Sequence, residues 1–504
     1  MKRRDFLAAA SSMVVPITVN GFGVRAFNQN SALVQSLAEA GAAYSDRILV
    51  MVYLNGGNDG LNTVIPLEHY AAYNQLRNNI AIPEKSVLTL AGATGTGLHP
   101  VMTGMQQLYN EGKLAIVHSV SYPNPTLSHV RSSDIWMTGV DSDKFTTSGW
   151  AGRYLDSRFP GYPGKFPNAE MEDPLAIQIG YVSSASLAGS KQSMGISLVS
   201  PDEFYQLVGQ ESFVPAADLP CCDSGDLIKA IRQQQVLAIE YSSEIKKAAA
   251  TGKNLASYPE AKNDLAQQLK IVARLINGGL KTKIYYVEMG GFDTHSAQVT
   301  NSSTTEGSHA LLLKNLSDAL AAFQKDLQMS NLEDRVIGMT FSDFGRRASS
   351  NASKGTDHGI AAPMFVFGTG IKRQNIGTNP HLVNDLVPLT ATPQNNNQDI
   401  KMQIDFRRVY SDLLTGWFGA GQSKSEELMF RNFSTTSLFS DVVQTLASGS
   451  WQDRSIWSAG RVPGPNDYVK INTGHIVQTS QSTGVKNIEV SSGGELQFSG
   501  NTGF

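Results

Sequence analysis

Five stretches of this chain are apolar almost from end to end: RILVMVYL at Arg47–Leu54, AIVHSV at Ala115–Val120, TKIYYVEM at 282–289, DRVIGMTF at 334–341 and APMFVFG at 362–368. A half-buried strand alternates, whereas a strand covered on both faces reads as an unbroken apolar run. Helical spacing lies between them. Asn263–Ile276 sets Leu265, Leu269, Val272, Leu275 and Ile276 on one face, and His309–Leu327 does the same with Leu312, Leu316, Leu320, Phe323 and Leu327. Strands alternating with such helices predict an α/β fold, a large central, mostly parallel sheet sandwiched by helices. In such sheets ligands gather beyond the carboxyl ends of the strands. Polar clusters follow four of the runs there (NGGNDGLN, SYPNPTLSH, GGFDTH and SDFGRR), and GTDHG precedes the fifth.

The pattern changes near Ser434. From Gly449 onward the periodicity has no helical component. Short alternating runs at Tyr468–Ile471, Ile476–Gln478, Asn487–Val490 and Glu495–Phe498 are separated by Gly, Ser, Asn and Pro. Recurrence at such short intervals predicts the first coils of a β-solenoid, with Trp451 and Trp457 packed under the first coil. The expected organisation is a leader and linker over 1–40, an α/β domain over 45–433 and a solenoid-like segment over 449–504.

Composition narrows the partners. Across 504 residues the formal net charge is −3, with 41% hydrophobic and 17% charged residues. That suits a large core and gives no electrostatic case for nucleic acid. No run of eighteen apolar residues suggests a membrane span. The opening MKRRDFLAAASSMVVP pairs Arg3 and Arg4 before Asp5, Phe6 and Leu7, ahead of a moderately apolar stretch to about Val19. This resembles a twin-arginine export signal, which implies the twin-arginine machinery as a partner and the periplasm or cell envelope as destination. The two cysteines, Cys221 and Cys222, are adjacent and so exclude an ordinary disulfide framework; a loop bounded by Pro220 and Asp223 is expected there.

The polar clusters contribute Asp59, Ser128 with His129, Asp293 with His295, Asp343, and Asp357 with His358. Carboxylates and imidazoles are ligands for divalent metals, and several at successive strand ends point to one shared site. Each also has a local alternative: Asp59 suits its own turn, Asp343 and Asp357 suit caps, and Asp293 suits a hydrogen bond to His295. In extended chain, residues two apart face the same side. Asp293 and His295 are therefore expected to converge, with His358 within about 3–5 Å if a metal is their purpose.

The segments VYLNGGNDGLNTVIPL, GGFDTHSAQ, FSDFGRR, GTDHGIAAPMFVFG and DFRRVYSDLLTGWFG resemble, in order over roughly residues 45–420, the bacterial domain-of-unknown-function family 1501, placed within the alkaline phosphatase and sulfatase superfamily. The resemblance implies one or two divalent ions (Zn, Mg, Mn or Ca) at the strand ends and a Ser or Thr nucleophile at a helix start. Carried over by position, Ser128 is the nucleophile, with Thr126 the alternative. Asp59, Asp293, His295, Asp343, Asp357 and His358 are metal ligands. The superfamily's Asp-His is Asp343 followed by Phe344 here, so one imidazole is missing. Arg346 is a candidate for binding an anionic substrate group. The implied function is exported, metal-dependent hydrolysis of phosphate or sulfate esters. The alternative is a non-catalytic envelope protein with a degenerate metal site, in surface assembly or polysaccharide binding. The C-terminal segment is similar to β-solenoid modules of bacterial surface proteins.

Overall fold

The apolar runs form the centre of one large sheet. The computed structural model describes residues 16–19, 22–25, 46–201, 222–259, 262–384, 386–388, 398–439, 442–457, 462–464, 467–480, 485, 487–491 and 493–498. Its main strands are β1 (Ile48–Leu54), β2 (Leu114–Ser121), β3 (Ala176–Ile179), β4 (Ile196–Leu198), β5 (Ile284–Met289), β6 (Val336–Ser342), β7 (Ala362–Phe367), β8 (Asn375–Ile376) and β9 (Ile404–Asp405). They hydrogen-bond in the order β8–β2–β7–β6–β1–β5–β3–β4, and β9 also pairs with β2. Every residue of β1, β2 and β6 is buried, which is why those runs do not alternate. All neighbours are parallel except at β7, which runs against both β2 and β6.

Helices flank the sheet: α1 (His129–Thr138), α2 (Cys222–Thr251), α3 (Asp264–Asn277) and α4 (Ser308–Met329). The Asn263 side chain accepts from the Ala266 amide and starts α3, whose buried face is the predicted set from Leu265 to Ile276. On α4 the buried stripe runs through Leu313, Leu316, Leu320, Phe323 and Leu327, with Leu312 only partly covered. Cys222 opens α2 where a loop was expected, and Cys221 lies outside the described residues.

Arg3 and Arg4 also lie outside the described residues. Pro16–Val19, read as part of the leader, pairs antiparallel with Phe22–Arg25. No helix among the described residues is long and apolar enough to cross a membrane.

The C-terminal runs form β10 (Val442–Gln444), β11 (Gly449–Ser450), β12 (Tyr468–Ile471), β13 (Ile476–Thr479), β14 (Asn487–Val490) and β15 (Glu495–Phe498). They build two parallel three-stranded sheets, β10–β12–β14 and β11–β13–β15, each strand in register with the one a coil earlier. Val443, Trp451, Ile456, Trp457, Val469, Ile471 and Val477 form their own core. The Trp457 indole donates to the Trp451 carbonyl at 2.8 Å. Outside, Gln478 bonds Gln497 and Lys470 pairs with Glu489 across successive coils.

Candidate metal centre

The reversal of β7 explains how the site assembles. His129 opens α1 after β2, Asp293 and His295 follow β5, and Asp343 follows β6, all at the carboxyl edge. Gly345–Arg346 then pairs antiparallel with His358–Gly359, placing Arg346 opposite His358. Because β7 runs the other way, its start lies at the edge where its neighbours end. His358 therefore reaches the same crevice.

Three ligand-type atoms, from His129, Asp293 and His358, all lie within 4.8 Å of one another, and His295 Nε2 adjoins two of them. His358 Nε2 lies 3.1 Å from His129 Nε2 and 2.9 Å from His295 Nε2. Asp293 Oδ1 lies 3.1 Å from His295 Nε2, 3.4 Å from His358 Nε2 and 3.6 Å from His129 Nε2. Ligands about 2.0–2.1 Å from a tetrahedral ion stand about 3.3–3.4 Å from one another. The opposite ring nitrogens are already engaged. His129 Nδ1 meets Asp343 Oδ2 at 2.5 Å, His295 Nδ1 meets Asp357 Oδ1 at 3.3 Å, and His358 Nδ1 meets the Leu127 carbonyl at 2.8 Å. Oxygen acceptors at all three Nδ1 atoms assign the protons to Nδ1 and turn three Nε2 lone pairs inward. Lone pairs and a carboxylate oxygen facing each other repel unless a cation stands between them. A histidine backed by a carboxylate or carbonyl is the usual outer arrangement of a metal ligand. The residues thus fit one divalent ion.

Charge agrees with that fit. Partial burial pushes the Asp293 carboxyl up, but Arg346, His295 and His129 outweigh it and hold it below its ordinary range. Burial pushes the His358 pKa down and the Leu127 carbonyl opposes this, but Arg346, His129 and His295 add to the burial and leave it below its ordinary value.

The supporting shell is tightly packed. The Phe344 ring is buried and lies 4.5 Å from the His358 ring and 4.7 Å from the His129 ring. Gly57, at φ +80°, passes under it, and a Cβ there would come within 2.7 Å of the Phe344 ring. Gly56, at φ +119°, brings the β1 loop so close to Asp293 that a Cβ would lie 2.5 Å from its amide nitrogen. The loop after β5 is tighter than a strand: Thr294 N bonds Phe292 O and His295 N bonds Asp293 O, yet residues 293 and 295 still share a side.

The expected site residues therefore separate into groups. Asp293, His295 and His358 meet at the common point. Asp343 and Asp357 stand behind it, as acceptors for His129 and His295. Asp59 has a different partner: its fully buried carboxylate takes two 2.7 Å bonds from Arg77 and one of 2.5 Å from Gln298. Burial pushes that carboxyl up, but Arg77 and His309 bring it below its ordinary range, so it is an ionised structural pair. Arg346, expected to meet substrate, is wholly buried. It donates to the carbonyls of Gly56, Gly57, Phe292 and Thr356 and to Asp293 Oδ1, the last at 2.6 Å. Ser128 is the exposed N-cap of α1, and its side chain makes no capping bond. The candidate ligand that sequence reasoning passed over is His129, noticed only as Ser128's neighbour.

Relatives bear on the central part of the chain. Residues 229–429 match the family model DUF1501, a protein of unknown function. The DUF1501 match takes in Asp293, His295, Asp343, Arg346, Asp357 and His358 and stops short of Asp59, Ser128 and His129. No curated protein matches the sequence. Among solved structures, the chain is similar to the lipoteichoic acid synthase LtaP from Listeria monocytogenes at 10% identity and TM-score 0.33, covering 79% of this chain and 77% of that one. It is similar to the PsFucS1 sulfatase from Pseudoalteromonas sp. at 13% identity and TM-score 0.33, covering 81% and 75%. The alkaline phosphatase from the Antarctic bacterium TAB5 matches at 8% identity and TM-score 0.27, covering 64% and 92%.

Proposed function

We propose that this chain is an exported hydrolase of phosphate or sulfate esters that uses one divalent ion and Ser128 as nucleophile. The observation that carries this reading is the convergence of three imidazole nitrogens and the Asp293 oxygen beside the start of α1. His129, Asp293 and His358 would hold the ion with His295 beside them, and a nitrogen-rich set suits zinc better than the oxygen-seeking magnesium or calcium. Bound there, the ion would polarise an ester oxygen and offset developing charge. The chain's own groups do the rest. Ser128 presents an uncommitted hydroxyl one residue before a ligand. The open end of α1 directs its first amides and its dipole toward an anionic group. Arg346 holds Asp293 in place. One ion is favoured over two because Phe344 fills the place of the missing imidazole and Asp59 is bound to Arg77.

Purified full-length protein should contain one ion per chain and hydrolyse p-nitrophenyl phosphate or p-nitrophenyl sulfate. Ser128→Ala should lower turnover by at least about 1000-fold while leaving the ion bound. Unchanged turnover would remove Ser128 from the reaction. One observation favours a second reading: His295 Nε2 lies 2.9 Å from His358 Nε2, so a fourth protein ligand would close the shell, as in structural sites. On that reading the chain is an envelope protein with a structural ion, in surface assembly or polysaccharide binding, with the C-terminal coils as attachment. One ion per chain with neither ester turned over would select it.

Export rests on the paired arginines. Arg3→Lys combined with Arg4→Lys should retain the precursor in the cytoplasm, read by cell fractionation, and unaltered accumulation outside the inner membrane would refute it.

A further inference from the structure

We propose that Tyr53 is a positioning residue of the metal centre, acting through Asp343 on His129. The inference rests on the single-ion reading above. Tyr53 stands next to the end of β1, inside a run that is otherwise wholly apolar, and is 4% exposed. Its hydroxyl donates to Asp343 Oδ1 at 2.5 Å and shares a 2.7 Å bond with Ser133 Oγ on α1. The other oxygen of Asp343 meets His129 Nδ1. A distant third contact comes from the Gly56 amide at 3.4 Å.

This carboxylate is unusual among the buried ones. Asp343 has no side-chain exposure, and among the described residues its only basic partner is His129. Asp59, equally buried, has Arg77. A buried carboxylate without a counter-charge is costly. Compensation reaches it from the hydrogen bond of His129 Nδ1 and, through that ring, from a cation held on Nε2. The Tyr53 bond stabilises the same charge from the other side and fixes which oxygen faces the ring. His129 is thereby held in the tautomer and orientation that aim Nε2 at His358 and Asp293. The single Ser133 hydroxyl proton goes either to the His129 carbonyl or to the Tyr53 oxygen, each at 2.7 Å, and neither contact reaches Asp343.

The test uses full-length protein and Co²⁺, whose visible spectrum reports ligand geometry. Wild-type protein should bind one Co²⁺ with tetrahedral absorption. Tyr53→Phe removes only the hydroxyl and should weaken Co²⁺ binding by about 10–100-fold in chelator competition, with a shifted absorption band. Ser133→Ala leaves the Tyr53–Asp343 bond in place and should change the affinity less than about threefold, well below that range. Should Tyr53→Phe not fold, Asp343→Asn tests the same link, since it retains the shape and removes the charge, and it should weaken binding at least as much. Equal affinity and an identical spectrum for folded Tyr53→Phe and wild type would overturn the proposal. A wild type that binds no Co²⁺ would instead overturn the single-ion reading, and this inference with it.

Discussion

Asp59→Asn should destabilise the protein by about 3–5 kcal/mol, as expected when one partner of a buried ion pair is removed and the other is left charged. Arg77 cannot escape to water. It has no side-chain exposure, and its remaining bonds go to Asn62 and to the carbonyls of Ala348 and Arg347. Denaturant unfolding of the full chain would measure the loss. The double variant Asp59→Asn with Arg77→Met should recover much of it, because no uncompensated charge then stays inside. Metal content of the folded fraction should be that of wild type. A variant of unchanged stability that has lost its ion would make Asp59 a ligand after all.

His358→Ala should have the largest effect on function. His358 Nε2 lies between the other two imidazoles and Asp293, so its removal opens the shell rather than loosening it. Metal affinity should fall by more than the 10–100-fold typical of an outer partner, and ester hydrolysis should fall to background. Zinc at about 100-fold over its Kd should stabilise wild type by about 2.7 kcal/mol, and the variant hardly at all. Acid should act the same way on wild type. Burial, with Arg346 and the neighbouring histidines, holds the His358 pKa below its ordinary value. Its contribution to stability is therefore complete above the unfolded pKa, near 6.5, and is lost as pH falls below it. Metal uptake should weaken over the same range, because the ligands must be unprotonated. Affinity that is flat from pH 7.5 to 5.5 would contradict histidine ligation.

What the sequence made legible follows from how far each signal reaches along the chain. Runs such as Ile48–Leu54 and Val336–Ser342 were readable because strands covered on both faces need no polar positions. The C-terminal strands were readable for the opposite reason, since one side of each coil faces water. β3 and β4 are four and three residues long, too short for any periodicity to register. Asp293 with His295, and Asp357 with His358, announced themselves as neighbours in sequence. His129 did not, because the acid behind it, Asp343, lies 214 residues away in sequence and follows a strand two places along the sheet. The Asp59–Arg77 pair was hidden similarly: each residue looks unremarkable in its own segment, and only the fold puts them together. Arg346 had the residue type for anion binding, but its burial and its carbonyl partners are tertiary facts.

The reversed strand has a consequence for timing. His129, Asp293 with His295, and His358 come from three distant stretches of chain, and the last faces the others only after β7 has inserted between β2 and β6. A chain shorter than Phe367 lacks part of this arrangement, so on the metal reading proposed above the ion would be taken up only after β7 is in place. Under the export proposed from Arg3 and Arg4, the metal inventory of the cytoplasm, rather than that of the medium outside, would then decide which element the centre carries.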